Sequence, residues 1–164
     1  MLSTRAADYA LRGMAYLAMQ PASKLVMAAE IAAAEDMPEF FFSKIFQSLA
    51  KSGLVNSFRG SNGGFELARS PEEITMRQIV EAVDGPVAVS KCASAPESCE
   101  RSGTCPFHRY WTEVQDSVLT ILDSHTLAEA VSHVEAAELK HWISGDTLNG
   151  TDLPSTFDST GTFL

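Results

Sequence analysis

Apolar residues return at helical spacing from Thr4 to Met19, at Ala7, Leu11, Met14, Ala15 and Ala18, with Ser3 available as a cap and Gln20-Pro21 closing the run. This spacing predicts a first helix. Ala28 to Glu35 predicts a second, short helix, and the break Asp36-Met37-Pro38 puts a proline where the first turn of a third helix tolerates it. In that third helix Phe42, Ile45, Phe46 and Leu49 make the buried stripe, Lys51 falls in the last turn, and Gly53 offers a left-handed stop. Two short strands follow, Leu54 to Phe58 and Phe65 to Ala68. Between them Arg59-Gly60-Ser61-Asn62-Gly63-Gly64 supplies the glycines and the Asn-Gly pair of a hairpin turn with positive φ.

Thr75, with Gln78 three residues on, has capping-box spacing and opens a helix through Val83 that Asp84-Gly85-Pro86 ends. Pro106 is expected to start a long helix in which Trp111, Val114, Val118, Ile121, Leu122 and His125 recur every three or four residues. Thr126 and Glu129 repeat the capping spacing ahead of a short helix toward Val131, with one more helix toward Ile143. The expected fold is mainly α with a small β-hairpin wing. It comprises a winged helix-turn-helix DNA-binding domain over residues 1–85, a cysteine loop over 86–105, a dimerisation helix with C-terminal helices over 106–144, and a flexible tail rich in Gly, Ser, Thr and Asp over 145–164.

In a winged helix the second helix of the pair enters the major groove, and the hairpin reaches the backbone or the minor groove. The third-helix positions not used by the core stripe are Phe40, Phe41, Ser43, Lys44, Gln47 and Lys51. Lys44 and Lys51 suit phosphates or base acceptors, Gln47 an adenine edge, and a ring such as Phe41 only a thymine methyl or a sugar. Arg59 at the wing root suits a narrow minor groove, with Ser61 and Asn62 beside it. The same pattern also fits a small helical bundle with a purely structural hairpin and its lysines on a solvated face.

The 164-residue chain carries a net charge of −9, which argues against indiscriminate polyanion binding. The charge is uneven, however: eight basic and ten acidic residues lie at or before Gly85, and four basic and eleven acidic after it. The candidate DNA reader is therefore nearly balanced. A single module with so few cations binds weakly, and a homodimer that places two modules one helical turn apart would double the contacts. The stripe of Trp111, Val114, Val118, Ile121 and Leu122 is the candidate dimer seam, although packing within one subunit would show the same periodicity. No charge-free apolar run reaches the roughly 18 residues of a membrane span, and residues 1–20, with Asp8 and two arginines, do not read as a secretion signal. A cytoplasmic protein without membrane contact is expected.

All three cysteines fall in one short segment: Cys92, six residues, Cys99, five residues, Cys105. An odd count in a reducing compartment points to metal or redox chemistry rather than a disulfide framework. The spacing is neither that of a zinc ribbon nor that of a ferredoxin, and it suits a loop wrapped around something larger than one ion. Thiolates select soft metals or iron–sulfur clusters, and Lys91, Arg101 and Arg109 could offset their charge. Three sulfurs leave one ligand missing, with Asp8 and His108 as candidates. Each has an ordinary alternative: Asp8 in a first turn four residues before Arg12 makes a surface ion pair, His108 in a first turn is solvated, and the thiols stay reduced and unliganded.

Taken together, Leu2-Ser3, Asp8-Tyr9-Ala10-Leu11-Arg12, Lys51-Ser52-Gly53-Leu54-Val55, Arg59-Gly60 with Gly63-Gly64-Phe65, Ile74-Thr75, Ile79-Val80-Glu81-Ala82-Val83-Asp84-Gly85 and the three-cysteine loop resemble the Rrf2 family of bacterial winged-helix regulators. The resemblance spans roughly residues 1 to 130 and rests on the ordered co-occurrence of these motifs. It implies a homodimer with the long helix as seam, one cluster per subunit, and DNA-facing positions at Phe41, Lys44 and Arg59. In the IscR-like branch the fourth ligand is a histidine three residues after the last cysteine, which His108 matches. In the NsrR-like branch it is an acid in the first helix, which Asp8 matches, and the residues around Asp8 favour that branch. The first cysteine interval is one residue longer than in the IscR-like branch, and phenylalanines occupy positions 40 and 41, where polar residues or tyrosine are common.

The expected function is a dimeric repressor, not an enzyme, that binds a double-stranded DNA operator under control of a two-iron or four-iron cluster sensing nitric oxide, oxygen or iron–sulfur status. Two alternatives carry different consequences. One is a cluster-free regulator answering to thiol chemistry or an effector protein; the other is a small iron–sulfur carrier with no DNA role. No histidine has a nucleophile or carboxylate partner at catalytic spacing.

Overall fold

The computed structural model describes residues 4–21, 24–35, 38–60 and 63–133. Helix α1, Arg5–Ala18, is capped by Thr4, whose hydroxyl accepts from the N–H groups of Ala6 and Ala7. The cap thus lies one residue beyond the expected Ser3. Helix α2 spans Ala28–Ala34 and α3 Glu39–Lys51, and Gly53 follows at φ 69° as the left-handed stop. Strands β1, Val55–Phe58, and β2, Gly64–Leu67, pair antiparallel with Val55 opposite Leu67 and Phe58 opposite Gly64.

The hairpin glycines work differently from the sequence expectation. Gly60 has a positive φ of 114°, whereas Gly63 is needed for space: a Cβ there would lie 2.3 Å from the Phe58 carbonyl oxygen. Gly64 is likewise pressed against the backbone of Val26, which exchanges two hydrogen bonds with Phe65 at 3.0 and 2.8 Å and so extends the hairpin by one bridge. Asn62 and Ser61 lie outside the described residues, as do the expected helix toward Ile143 and the tail.

The main core is built where α1, α3 and the hairpin meet. Phe42, Ile45, Phe46 and Leu49 are all buried, as their spacing predicts. Phe42 and Phe46 stack with centroids 4.2 Å apart, and Phe65 of β2 meets both edge-on at 5.5 and 5.0 Å. On the other side Gly13 lets α1 approach so closely that a Cβ would sit 2.9 Å from the Phe46 ring. The recognition helix, the wing and the first helix therefore share one aromatic contact.

Helix α4, Met76–Asp84, begins with the full capping box of Thr75 and Gln78, and α7, Leu127–Ser132, with that of Thr126 and Glu129. The two cap residues pair with each other in an antiparallel bridge, so both helices start from one junction. Between them the chain makes a short helix α5, Lys91–Ser94, and the long helix α6, His108–Ser124. Helix α6 starts two residues later than Pro106: the chain first turns, His108 N–H donating to Cys105 O, and the first helical bond is Trp111 N–H to Phe107 O. His125 stands past its end, in the cap position. Short 3-10 turns at Pro71–Glu73 and Pro96–Ser98 and the helix α5 were not anticipated from periodicity, because four residues or fewer carry none.

Phe40 and Phe46 of α3 separate surface from core. Phe46→Ala should lower the unfolding free energy by about 3–5 kcal/mol, whereas Phe40→Ala, at an exposed position, should change it by no more than about 0.5 kcal/mol. Urea titrations followed by circular dichroism read both.

Candidate nucleic-acid interface and cysteine loop

With its stripe consumed by the core, α3 turns Phe40, Phe41, Ser43, Lys44, Gln47 and Lys51 to solvent, as the sequence predicts. Arg59, directly after β1, is exposed on the same hairpin. None of the ion pairs among the described residues involves Lys44, Lys51 or Arg59. Cations on the recognition helix and wing root are thus available to phosphates.

The C-terminal end of α2 is held from α1 by a device that periodicity does not reveal. Arg12 Nη2 donates to the Glu35 carbonyl at 2.8 Å, and its Nε lies 3.2 Å from the Glu35 carboxylate, whose side chain is only 4% exposed. Burial holds the Glu35 carboxyl above the usual glutamate range, with Arg12 pulling it down and Asp8 pushing it up. The Arg12 guanidinium also lies over the Tyr9 ring at 5.3 Å and reaches Asp8 at 3.8 Å, the expected surface ion pair. A second tie runs from Tyr16, whose hydroxyl donates to Glu30 at 3.1 Å. Burial first, then that hydrogen bond, pushes the Tyr16 phenol up to about 12, so it stays a donor. Nothing in periodicity marks Glu35 as buried; the only signal is an acid ending an otherwise alanine-rich helix.

The cysteine segment is anchored by a second unforeseen residue, Gln115. It is 4% exposed in the middle of α6, donates to Val87 O at 2.8 Å and accepts from Val89 N–H at 2.8 Å. Two fully used hydrogen bonds make its burial tolerable. They clamp the strap that leads from α4 into Cys92. Val87, with Ala7 and Val80, forms a second small core against which Val118, Leu119 and Leu122 pack. Arg77 adds a bridge from α4 to α6, pairing with Glu81 at 3.1 Å and Asp123 at 2.8 Å.

This divides the expected dimer seam. Val118 and Leu122 pack inward against Ala7, Val80 and Val87, while Trp111, Val114 and Ile121 remain exposed together with Phe107 and Tyr110. At 100° per residue the apolar stripe of α6 is wide enough to offer two adjacent faces, and one of them is used internally.

Cys92, Cys99 and Cys105 are free and half-buried. Ser90 Oγ lies 3.3 Å from Cys92 Sγ. Among the described residues no group of three or more His, Cys, Asp or Glu is gathered tightly enough to hold a metal ion, so the structure gathers neither the three expected thiol ligands with one another nor Asp8 or His108 with them. Asp8 instead points outward, its side chain 62% exposed. His108 is half-buried one turn from Cys105, and its Nδ1 is buried with no hydrogen-bond partner. In donor chemistry, though not in their spacing here, three free thiols and an orphaned imidazole nitrogen suit a soft metal group.

Residues 3–133 match the family described as Rrf2, iron-dependent transcriptional regulator. This chain belongs to the Rrf2 family. Among its Rrf2 relatives, the HTH-type transcriptional regulator IscR of Pectobacterium carotovorum is 30% identical over 139 residues, 85% of this chain and 84% of that one. IscR of T. potens has a solved structure that matches with a TM-score of 0.67 at 26% identity, covering 84% of this chain and 91% of its own. CymR, described as the global cysteine regulator of B. subtilis, matches with a TM-score of 0.66 at 27% identity, covering 82% of this chain and all of its own. These are transcription regulators rather than enzymes, and this Rrf2 protein is a DNA-binding transcription regulator with a winged-helix fold. Among the described residues no helix is long and apolar enough to cross a membrane.

The Arg12–Glu35 contact makes a pH-dependent prediction. Arg12→Met leaves a buried carboxylate without its cation and should cost about 3 kcal/mol of stability at neutral pH. The folded pKa of Glu35, already raised, rises further in the variant, so stability tied to this group is present below the ordinary glutamate value and lost as pH climbs through the folded one. The deficit of the variant against the unsubstituted chain should therefore shrink on acidification, and adding Glu35→Gln should recover most of it. Urea unfolding across the pH range checks this.

Proposed function

We propose that this Rrf2 regulator is a homodimeric repressor of a palindromic operator whose grip on DNA is set by an iron–sulfur cluster on Cys92, Cys99 and Cys105. The observation that carries the reading is the cysteine loop itself: three free, half-buried thiols on a segment whose entry, at Val87 and Val89, is hydrogen-bonded to Gln115 of α6. Likeness to IscR proteins in sequence and fold supports it.

Each part of the chain has a role in this scheme. Phe107, Tyr110, Trp111, Val114 and Ile121 provide the apolar face that a second copy covers. Lys44, Lys51 and Arg59 engage the backbone, and Gln47 a base edge. When bound, the cluster supplies a redox-sensitive crosslink among soft sulfurs with a centre open to nitric oxide or oxygen. For the fourth position His108 offers its unpartnered Nδ1 from within the same chain, whereas the outward Asp8 would serve a second copy. The Asp8 arrangement adds a consequence for DNA binding. Asp8 and Arg12 lie one turn apart on α1, and Arg12 holds Glu35 at the end of α2, so drawing Asp8 away acts on the helix against which α2 and α3 are set.

A second reading is a cluster-free thiol sensor, favoured by the likeness to a cysteine regulator and by thiols that are already free.

Full-length protein isolated without oxygen should contain iron and sulfide, show visible absorption that each Cys→Ser substitution removes, and change its operator affinity when nitric oxide is added. Asp8→Ala and His108→Ala should differ, the true ligand's variant shifting the spectrum. Protein lacking iron and sulfide, whose DNA affinity ignores chelators and nitric oxide but follows peroxide, would replace this reading with the thiol sensor.

A further inference from the structure

The first turn of α3 displays two phenylalanines that the core does not use. Phe40 is 77% exposed, the most exposed large apolar side chain among the described residues, and Phe41 is 47% exposed. Their rings meet edge to face with centroids 5.9 Å apart at 80°, a contact that orients each ring without covering it. One turn on, the outer surface becomes polar, with Ser43, Lys44 and Gln47 exposed and Lys51 closing the helix. The recognition helix is therefore graded, apolar at its N-terminus and cationic beyond.

In a helix-turn-helix the N-terminal residues of the recognition helix are the ones that reach base edges. Phenylalanine has no donor or acceptor with which to read such an edge. The apolar group displayed there is the C5 methyl of thymine. Lys44, Lys51 and Arg59 supply the sequence-independent attraction beside it.

We propose that Phe40 and Phe41 form a methyl-reading pair, selecting operator half-sites that present thymines to the first turn of α3. This rests on the DNA-binding function and adds the base chemistry that is recognised. Discrimination comes from burial. A methyl covered by a ring leaves water together with the ring face, whereas a base without it presents the ring with a polar edge that loses its own hydration.

The test uses the full-length chain and duplexes it enriches from a random-sequence pool, resynthesised with uracil in place of each half-site thymine so that only methyls are removed. Thymine should be enriched in the half-sites, and each contacted methyl should be worth about fourfold in affinity. At low salt, where backbone attraction keeps weak binding measurable, the Phe40→Ser, Phe41→Ser double variant should bind thymine and uracil duplexes equally. Lys44→Ala should instead weaken binding to both alike and flatten the salt dependence. Equal binding of both duplexes by the unsubstituted chain, or a methyl effect that survives in the double variant, overturns the proposal and assigns the rings to another partner while leaving DNA binding intact. Failure to enrich any duplex would overturn the DNA-binding function itself.

Discussion

Phe46 stacks on Phe42 within α3, receives the edge of Phe65 from the wing, and lies against Gly13 of α1 with no room for another carbon. Through this one packed contact α3, the hairpin and the helix that carries Asp8 and Arg12 are fixed relative to one another. Close-packed interiors do not deform continuously, so a displacement of α1 is passed to α3 and the wing rather than absorbed between them. The outward presentation of Lys44, Gln47 and Arg59 is a by-product of that inward commitment.

The polar ties make the same connection from the other side. Arg12 spans from Asp8 to the carbonyl and carboxylate of Glu35, joining a surface acid to the end of α2. Gln115 does for the strap before Cys92 what Arg12 does for the end of α2: it is a polar group satisfied by the backbone it restrains. Such groups are costly to bury unpaired and specific when paired, which is why they define single positions rather than merely adding cohesion.

Much of this was legible in the residues. The apolar stripe of α3, its outward set and both capping boxes read correctly, because side-chain spacing and hydrogen-bond chemistry act locally. The cap of α1 and the start of α6 were displaced by one and two residues, where competing turns of similar energy are chosen by packing. Gly63 and Gly64 were assigned to backbone handedness and instead make way for Phe58 and Val26, a demand set by a neighbour distant in sequence.

By itself, then, the order of residues determined the longer elements, their inward faces and the three-thiol segment, since each follows from periodicity, caps or composition. Tertiary structure decided what those faces meet. Only packing could split the α6 stripe into an internal side with Val118 and Leu122 and a free side with Trp111, Val114 and Ile121, bury Glu35 and Gln115, and leave Phe40 and Phe41 in water. The physical reason is that burial belongs to pairs of surfaces, and a sequence pattern describes only one surface of each pair.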